Sequence, residues 1–196
     1  MLTSILAVSA LAAGACAQAP KVTIGQITYG GTGCPQGTVS TLLSSDRTAF
    51  TLLFDSYVAT AGPLVAITES RKACQIAAQI NVPNGWSYSV GTIDYRGYVQ
   101  VPQGGLAVQS ATYYFQGMSQ QTVSRTSFTG PADRDYLVRD VIPLESIVWS
   151  QCNANIPVNI KTAVQLRVPT GKSGIITTDS IDAKVAQVYG LQFRQC

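Results

Sequence analysis

The sequence predicts an all-β, single-domain protein: an antiparallel, jelly-roll-like β-sandwich tied by two disulfides. Three observations carry the prediction. Two long segments alternate apolar and polar residues with period two. Turn-forming residues recur between short apolar runs. Four cysteines remain once an N-terminal leader is set aside. Many short strands with one polar face are satisfied by two sheets packed face to face, and a closed barrel is the alternative.

The leader comes first. Residues 1–17, MLTSILAVSALAAGACA, hold a largely apolar run from Ile5 to Ala13 followed by small residues. That is the layout of a signal peptide, too short for the ~20 apolar residues of a membrane span. Cleavage is expected before Gln18, after the small-x-small run Ala15-Cys16-Ala17. The alternative, Cys16 as a bacterial lipoprotein cysteine, lacks a leucine three residues before it and a basic N-terminal region. The stretch 18–196 has the size of one ordinary domain. No second apolar run is long enough to anchor it in a membrane after cleavage. The hydrophobic fraction is 46% against 12% charged, which supports a core rather than disorder. The net charge of +3 is scattered, so no basic stripe for nucleic acid forms.

The next element is the loop 29–40, YGGTGCPQGTVS. A phosphate-binding loop would need Gly-Lys-Ser/Thr and then a helix. Here Gly37 is followed by Thr-Val-Ser, and the next lysine is Lys72. The glycines are expected to permit positive φ around a disulfide-tethered turn.

Strands come next. In 73–82, Cys74, Ile76, Ala78, Ile80 and Val82 share one face. In 157–168, Val158, Ile160, Val164, Leu166 and Val168 face inward, while Asn159, Lys161, Gln165 and Arg167 face water. Further strands are expected over 21–29, 48–57, 64–68, 86–90, 98–101, 106–115, 122–128 and 184–193. Helical turns are expected only at 177–182 and near 144–147. The four cysteines left after cleavage are Cys34, Cys74, Cys152 and Cys196. Three pairings are possible. Nearest neighbours in the chain, Cys34–Cys74 and Cys152–Cys196, are expected to bond, each closing a loop of about 40 residues worth roughly 2–5 kcal/mol.

The chain has no histidine. That removes the Ser-His-Asp triad, the Cys-His pair, and histidine-based zinc and copper sites including the histidine brace. Oxidised thiols leave no four-cysteine zinc site. No cofactor, metal or catalytic residue is expected. The remaining enzyme route is a pair of carboxylates facing across a cleft, as in a glycoside hydrolase. Several acids instead sit beside basic residues, as in Asp46-Arg47, Asp133-Arg134-Asp135 and Arg139-Asp140. Calcium is weighed on Asp133, Asp135 and Asp140 and on Asp179 and Asp182, but interleaved arginines oppose a cation and the spacing is not that of an EF-hand.

Aromatics give the last candidate. The hexapeptide DYRGYV, 94–99, holds two tyrosines, an acid and an arginine around Gly97. Glycine inside a strand pattern reads as a bulge or turn, which would aim Tyr95 and Tyr98 toward one surface. Asp94 and Arg96 would then hydrogen-bond a ligand, with Trp86 and Tyr88 sharing the patch. The competing reading makes Tyr95 and Tyr98 core residues and Asp94–Arg96 a plain surface pair.

Several stretches carry a resemblance: SSDRTAFTLLFDSYVA (44–59), DYRGYV (94–99), TYYFQG (112–117), TGPADRDYLVRD (129–140) and TTDSIDAKVAQVY (177–189). Across essentially the whole chain after the leader, they resemble the domain of unknown function family 4360. The resemblance implies a small secreted protein of fungal source and carries no established catalytic residues. The expected function is that of a secreted, non-catalytic binding protein at the fungal surface or host interface. Its partner would be an extracellular protein or a cell-wall polysaccharide. A carbohydrate-binding sandwich and a carboxylate-dependent glycoside hydrolase are the alternatives.

Overall fold

The computed structural model describes residues 20, 22–45, 49–143, 146–178 and 187–196. The leader, Asp46, Arg47, Glu145, Asp179 and Asp182 lie outside the described residues.

Twelve strands and one 3-10 helix occur among them. They are β1 (Thr23–Gly30), β2 (Val39–Leu43), β3 (Ala49–Phe54), β4 (Val58–Ala61), the 3-10 helix η1 (Ile67–Ser70), β5 (Arg71–Asn81), β6 (Trp86–Val101), β7 (Leu106–Phe115), β8 (Gln121–Thr129), β9 (Ala132–Val141), β10 (Val158–Arg167), β11 (Gly174–Thr177) and β12 (Gln187–Gln195). All pairings are antiparallel. One sheet has the order β1-β5-β10-β7-β8. The other runs β2-β3-β12-β6-β11-β4, with β9 also paired to β6. The sheets pack as a sandwich over one core, and neither closes into a barrel.

The period-two pattern places that core. Cys74, Ile76, Ala78 and Ile80 of β5, and Val158, Ile160, Val164 and Leu166 of β10, are all buried. They meet Phe50, Leu52, Tyr88 and Tyr95 from the opposite sheet. Asn159 departs from the expectation: it is buried rather than turned to water.

Other local expectations are corrected. The runs 86–90 and 98–101 belong to one sixteen-residue strand, β6. Residues 64–68 form no strand; the chain turns there and continues as η1, while the edge strand of this region is β4 just before. The charged stretch around Asp133 and Asp135, absent from the expected strands, is β9, in unbroken register with β6. At the turn expected over 177–182, Thr177 closes β11, and 179–182 lie outside the described residues.

Gly97 is not a bulge. It pairs regularly with Tyr136. A Cβ there would lie 2.2 Å from the Thr177 carbonyl oxygen and 2.7 Å from Tyr136 Oη. Tyr136 Oη donates to that carbonyl at 2.6 Å, and the Tyr98 amide donates to Thr177 Oγ1 at 3.0 Å. Glycine is therefore required by close approach, not by a turn. Gly97→Ala is expected to destabilise by about 2 kcal/mol or more, because the obstruction is backbone. A chemical-denaturation midpoint equal to wild type would refute this account.

The glycine-rich loop is a clasp. The structure joins Cys34 to Cys74 with a Cα–Cα distance of 5.4 Å, and Cys152 to Cys196 at 6.0 Å. Gly33 N donates to Ala73 O at 2.9 Å, and Ala73 N donates to Thr32 Oγ1 at 3.1 Å, so the loop bonds onto β5. Gly37 takes φ 83° and donates its amide to Tyr29 Oη at 3.0 Å. Behind the clasp, Tyr57 is fully buried with its hydroxyl 2.9 Å from Thr162 Oγ1. Burial pushes the Tyr57 phenol well above its ordinary pKa.

Candidate functional site

The six residues singled out in the sequence are divided by the faces of β6, whose alternation shifts between Val90 and Thr92, where the register with β12 is irregular. Tyr88 and Tyr95 point into the core, at 0% and 1% exposure. Tyr88 Oη donates to Ile156 O at 2.8 Å, and Tyr95 Oη lies 3.3 Å from Tyr113 Oη. Neither can meet a ligand at the surface. Trp86 is half-buried and eight residues from Asp94, ~26 Å along the strand at ~3.3 Å per residue. The single patch is thus corrected to a smaller set: Asp94, Arg96 and Tyr98 on the outer face of β6. Without a bulge at Gly97, Tyr95 and Tyr98 fall on opposite faces.

On that outer face, β9 supplies the neighbours. Arg139 Nε and Nη2 donate to Asp94 Oδ1 and Oδ2, both at 2.6 Å. Tyr98 Oη donates to Asp133 Oδ1 at 2.5 Å, and Gln100 Nε2 donates to Asp133 Oδ2 at 3.3 Å. The hydrogen bonds from Arg139 hold the Asp94 carboxyl below the usual carboxylate range, and the Tyr98 hydroxyl does the same for Asp133. Both stay ionised at neutral pH, the opposite of what a general acid needs.

The Asp94–Arg139 pair makes a pH prediction. The folded pKa of Asp94 lies below that of the unfolded chain, so the unfolded state binds the proton more readily. The stabilisation is complete above the unfolded value of about 4 and is lost as pH falls through the lowered folded value. Asp94→Asn is expected to flatten the acid limb of stability. Urea midpoints measured at about pH 7 and about pH 3 check it; an unchanged difference between the two would remove the pair as its source.

A second feature was not visible in the sequence. The chain leaves the seven-stranded sheet at β4, turns through 62–66, forms η1 and enters β5 of the five-stranded sheet. At this crossover lies a pocket of about 830 Å³. Val65, Ile67, Leu166 and Val168 supply apolar lining, and Arg71, Arg167 and Lys172 supply charge. No Asp or Glu lines it among the described residues. Glu69, nearby in sequence, pairs with Lys72 at 2.8 Å. Two large apolar side chains stand out here: Ile67 of the lining, 85% exposed, and Leu64, fully exposed, between the lining residues Pro63 and Val65. Leu64 also has φ 65°, a left-handed conformation costing a leucine about 1–2 kcal/mol. Exposed apolar groups on a strained turn beside a concave pocket make this a candidate binding site. Of the pocket, the sequence shows only the run 63–67, Pro-Leu-Val-Ala-Ile, apolar without period-two alternation, and not the residues that meet it.

Comparison with known proteins adds three findings. The profile of the DUF4360 family, a domain of unknown function, matches residues 20–196. An "Uncharacterized secreted protein" of Arthroderma benhamiae is 44% identical over 177 residues, which span 90% of this chain and 72% of that protein. Among solved structures, TmCBM61 in complex with beta-1,4-galactotriose is matched over 87% of this chain and 88% of that one, at 7% identity and a TM-score of 0.25. A likeness at that level carries no argument about ligand.

Proposed function

Because this chain belongs to the DUF4360 family, whose description assigns no activity, we propose a function from its own surface: a non-catalytic binding protein that takes its ligand at the crossover pocket. Like its relative in Arthroderma benhamiae, the protein is secreted. The observation that carries the reading is the pocket itself, with aliphatic side chains, three cations and the exposed Ile67 in its lining. Apolar surface of that size left in water is expected to be covered by something. The non-catalytic part is supported by the depressed pKa of both Asp94, bonded by Arg139, and Asp133, bonded by Tyr98 and Gln100, which suits a fixed charge rather than proton transfer.

A thermal-shift screen across soluble amphiphiles, peptides and oligosaccharides tests it. A ligand at one hundred times its Kd adds about 2.7 kcal/mol to folding stability. Ligands are expected whose stabilisation disappears in Ile67→Asp. Ligands that stabilise that variant equally would place the site elsewhere, and turnover of any of them would overturn the non-catalytic reading.

The polysaccharide reading has one surface feature in its favour, the polar outer face of half-buried Asp94 and Tyr98 and exposed Arg96. Its single aromatic, Tyr98, already spends its hydroxyl on Asp133. Polysaccharide binding abolished by Tyr98→Ala and untouched by Ile67→Asp would move the site to that face.

A further inference from the structure

The distribution of charge between the two sheets says what the pocket would hold. The five strands β1, β5, β10, β7 and β8 contain no aspartate and no glutamate. They contain Arg71, Lys72, Lys161, Arg167 and Arg125. Lys72 is neutralised by Glu69. Arg71, Arg125, Lys161 and Arg167 are exposed. The acids of β6 and β9 lie on the other sheet, where Asp94 and Asp133 are engaged by Arg139, Tyr98 and Gln100. The five-stranded sheet therefore presents a one-sign cationic face, and such a face draws anions toward it.

The pocket lies at the edge of this face. Arg71 opens β5 and Arg167 closes β10, and both line it, with Lys172 on the turn that follows. Among the described residues no carboxylate pairs with any of these three. Below them the lining is aliphatic: Leu166, itself buried, with Val168 and Val65. Among the described residues no aromatic ring lines the pocket, so they offer none of the flat faces that sugars or nucleobases stack on. The combination of an aliphatic trough with a cationic rim matches a molecule with a flexible apolar tail and a negative head. Exposed Ile67 would extend the trough along the tail. A volume of about 830 Å³ suits one such molecule rather than a macromolecular surface.

We propose that the crossover pocket binds a single-chain amphiphile with an anionic head, carboxylate or phosphate, taken up as a monomer. Arg71, Arg167 and Lys172 receive the head through charge-assisted hydrogen bonds, and Val65, Ile67, Leu166 and Val168 enclose the tail. This rests on the reading of the pocket as the ligand site, and it adds the ligand's chemistry.

The test uses the full secreted protein and three probes below their aggregation limits: dodecyl phosphate, dodecyl maltoside with the same tail and a neutral head, and inorganic phosphate. Calorimetry is expected to show dodecyl phosphate binding, weakened by added salt, with the other two at least about tenfold weaker. The triple variant R71Q/R167Q/K172Q, altered only at exposed positions and checked by its melting curve, is expected to lose about tenfold or more for dodecyl phosphate and nothing for dodecyl maltoside. Equal affinity for the two dodecyl probes would overturn the anionic head while leaving the pocket as a site. Undiminished binding to the triple variant would overturn the role of the three cations. Sedimentation with phosphatidylglycerol vesicles, without binding of the monomer, would replace the monomer with a lipid surface. If no amphiphile binds while a peptide or oligosaccharide is lost on Ile67→Asp, the chemistry proposed here fails and the pocket reading survives.

Discussion

Replacing Cys34 and Cys74 together by alanine is expected to lower stability by about 4 kcal/mol from chain entropy alone, and by more in practice. Both cysteines are buried, at 0% and 2% exposure, so alanine also leaves space in the core. The clasp of residues 31–34 on Ala73 would lose its covalent tie at the same point. For a domain of this size the melting temperature should drop on the order of 10 °C. The Cys152–Cys196 bond is the internal control. Its separation in the chain is 44 residues against 40, so the entropic part is nearly equal. Its cysteines are exposed, however, and no core packing is lost with them. Removing Cys34–Cys74 should therefore be the more damaging change. Equal losses for the two double variants, measured by denaturant titration, would mean that burial adds nothing.

The second large effect is expected at Tyr95. Truncation to alanine removes a ring that is 1% exposed and a hydroxyl facing Tyr113 at 3.3 Å. A loss of about 3–5 kcal/mol follows from comparable core aromatics. Tyr98, three residues on, stands on the outer face with its hydroxyl on Asp133. Tyr98→Ala should leave the melting temperature within about 3 °C of wild type. The two tyrosines of one hexapeptide thus separate by the side of the strand they occupy. Similar melting curves for the two variants would contradict the register of β6 against β9.

How far the sequence could be read is clear from such pairs. The faces of β5 and β10 were legible because alternation over eight or more residues leaves one register that buries Ile76, Ile80, Ile160 and Leu166 together. β9 was not, because Asp133, Arg134, Asp135 and Arg139 hide its pattern. A strand of charged residues reads as a loop until a partner such as β6 is known. Gly97 misled for a related reason. Sequence shows that a side chain is missing but not what occupies its place, here the Thr177 carbonyl reaching across from β11. The pocket was out of reach because Ile67, Arg71, Arg167 and Lys172 come together only at the crossing between sheets, more than ninety residues apart in the chain. Asn159 shows the limit inside a correct strand: period two gave it a water-facing position, and the structure buries it all the same.

One consequence of the topology concerns the order in which the molecule is assembled. β12, the last of the described strands, is laid between β3 and β6, and its ladder joins Gln187 to Leu52. Until it arrives, the second sheet exists as two unconnected pieces with open, apolar edges. Closing such distant pairs is slow, on the millisecond-to-second scale of β-rich domains. The exposed edges are templates for other chains during that interval. Cys196 follows directly on β12 and bonds Cys152, while its amide donates to Gly85 O at 2.8 Å. Oxidation of that pair ties the end of β12 to the loop that carries Cys152, and the rate at which those two thiols disappear during refolding is expected to follow the joining of the two pieces.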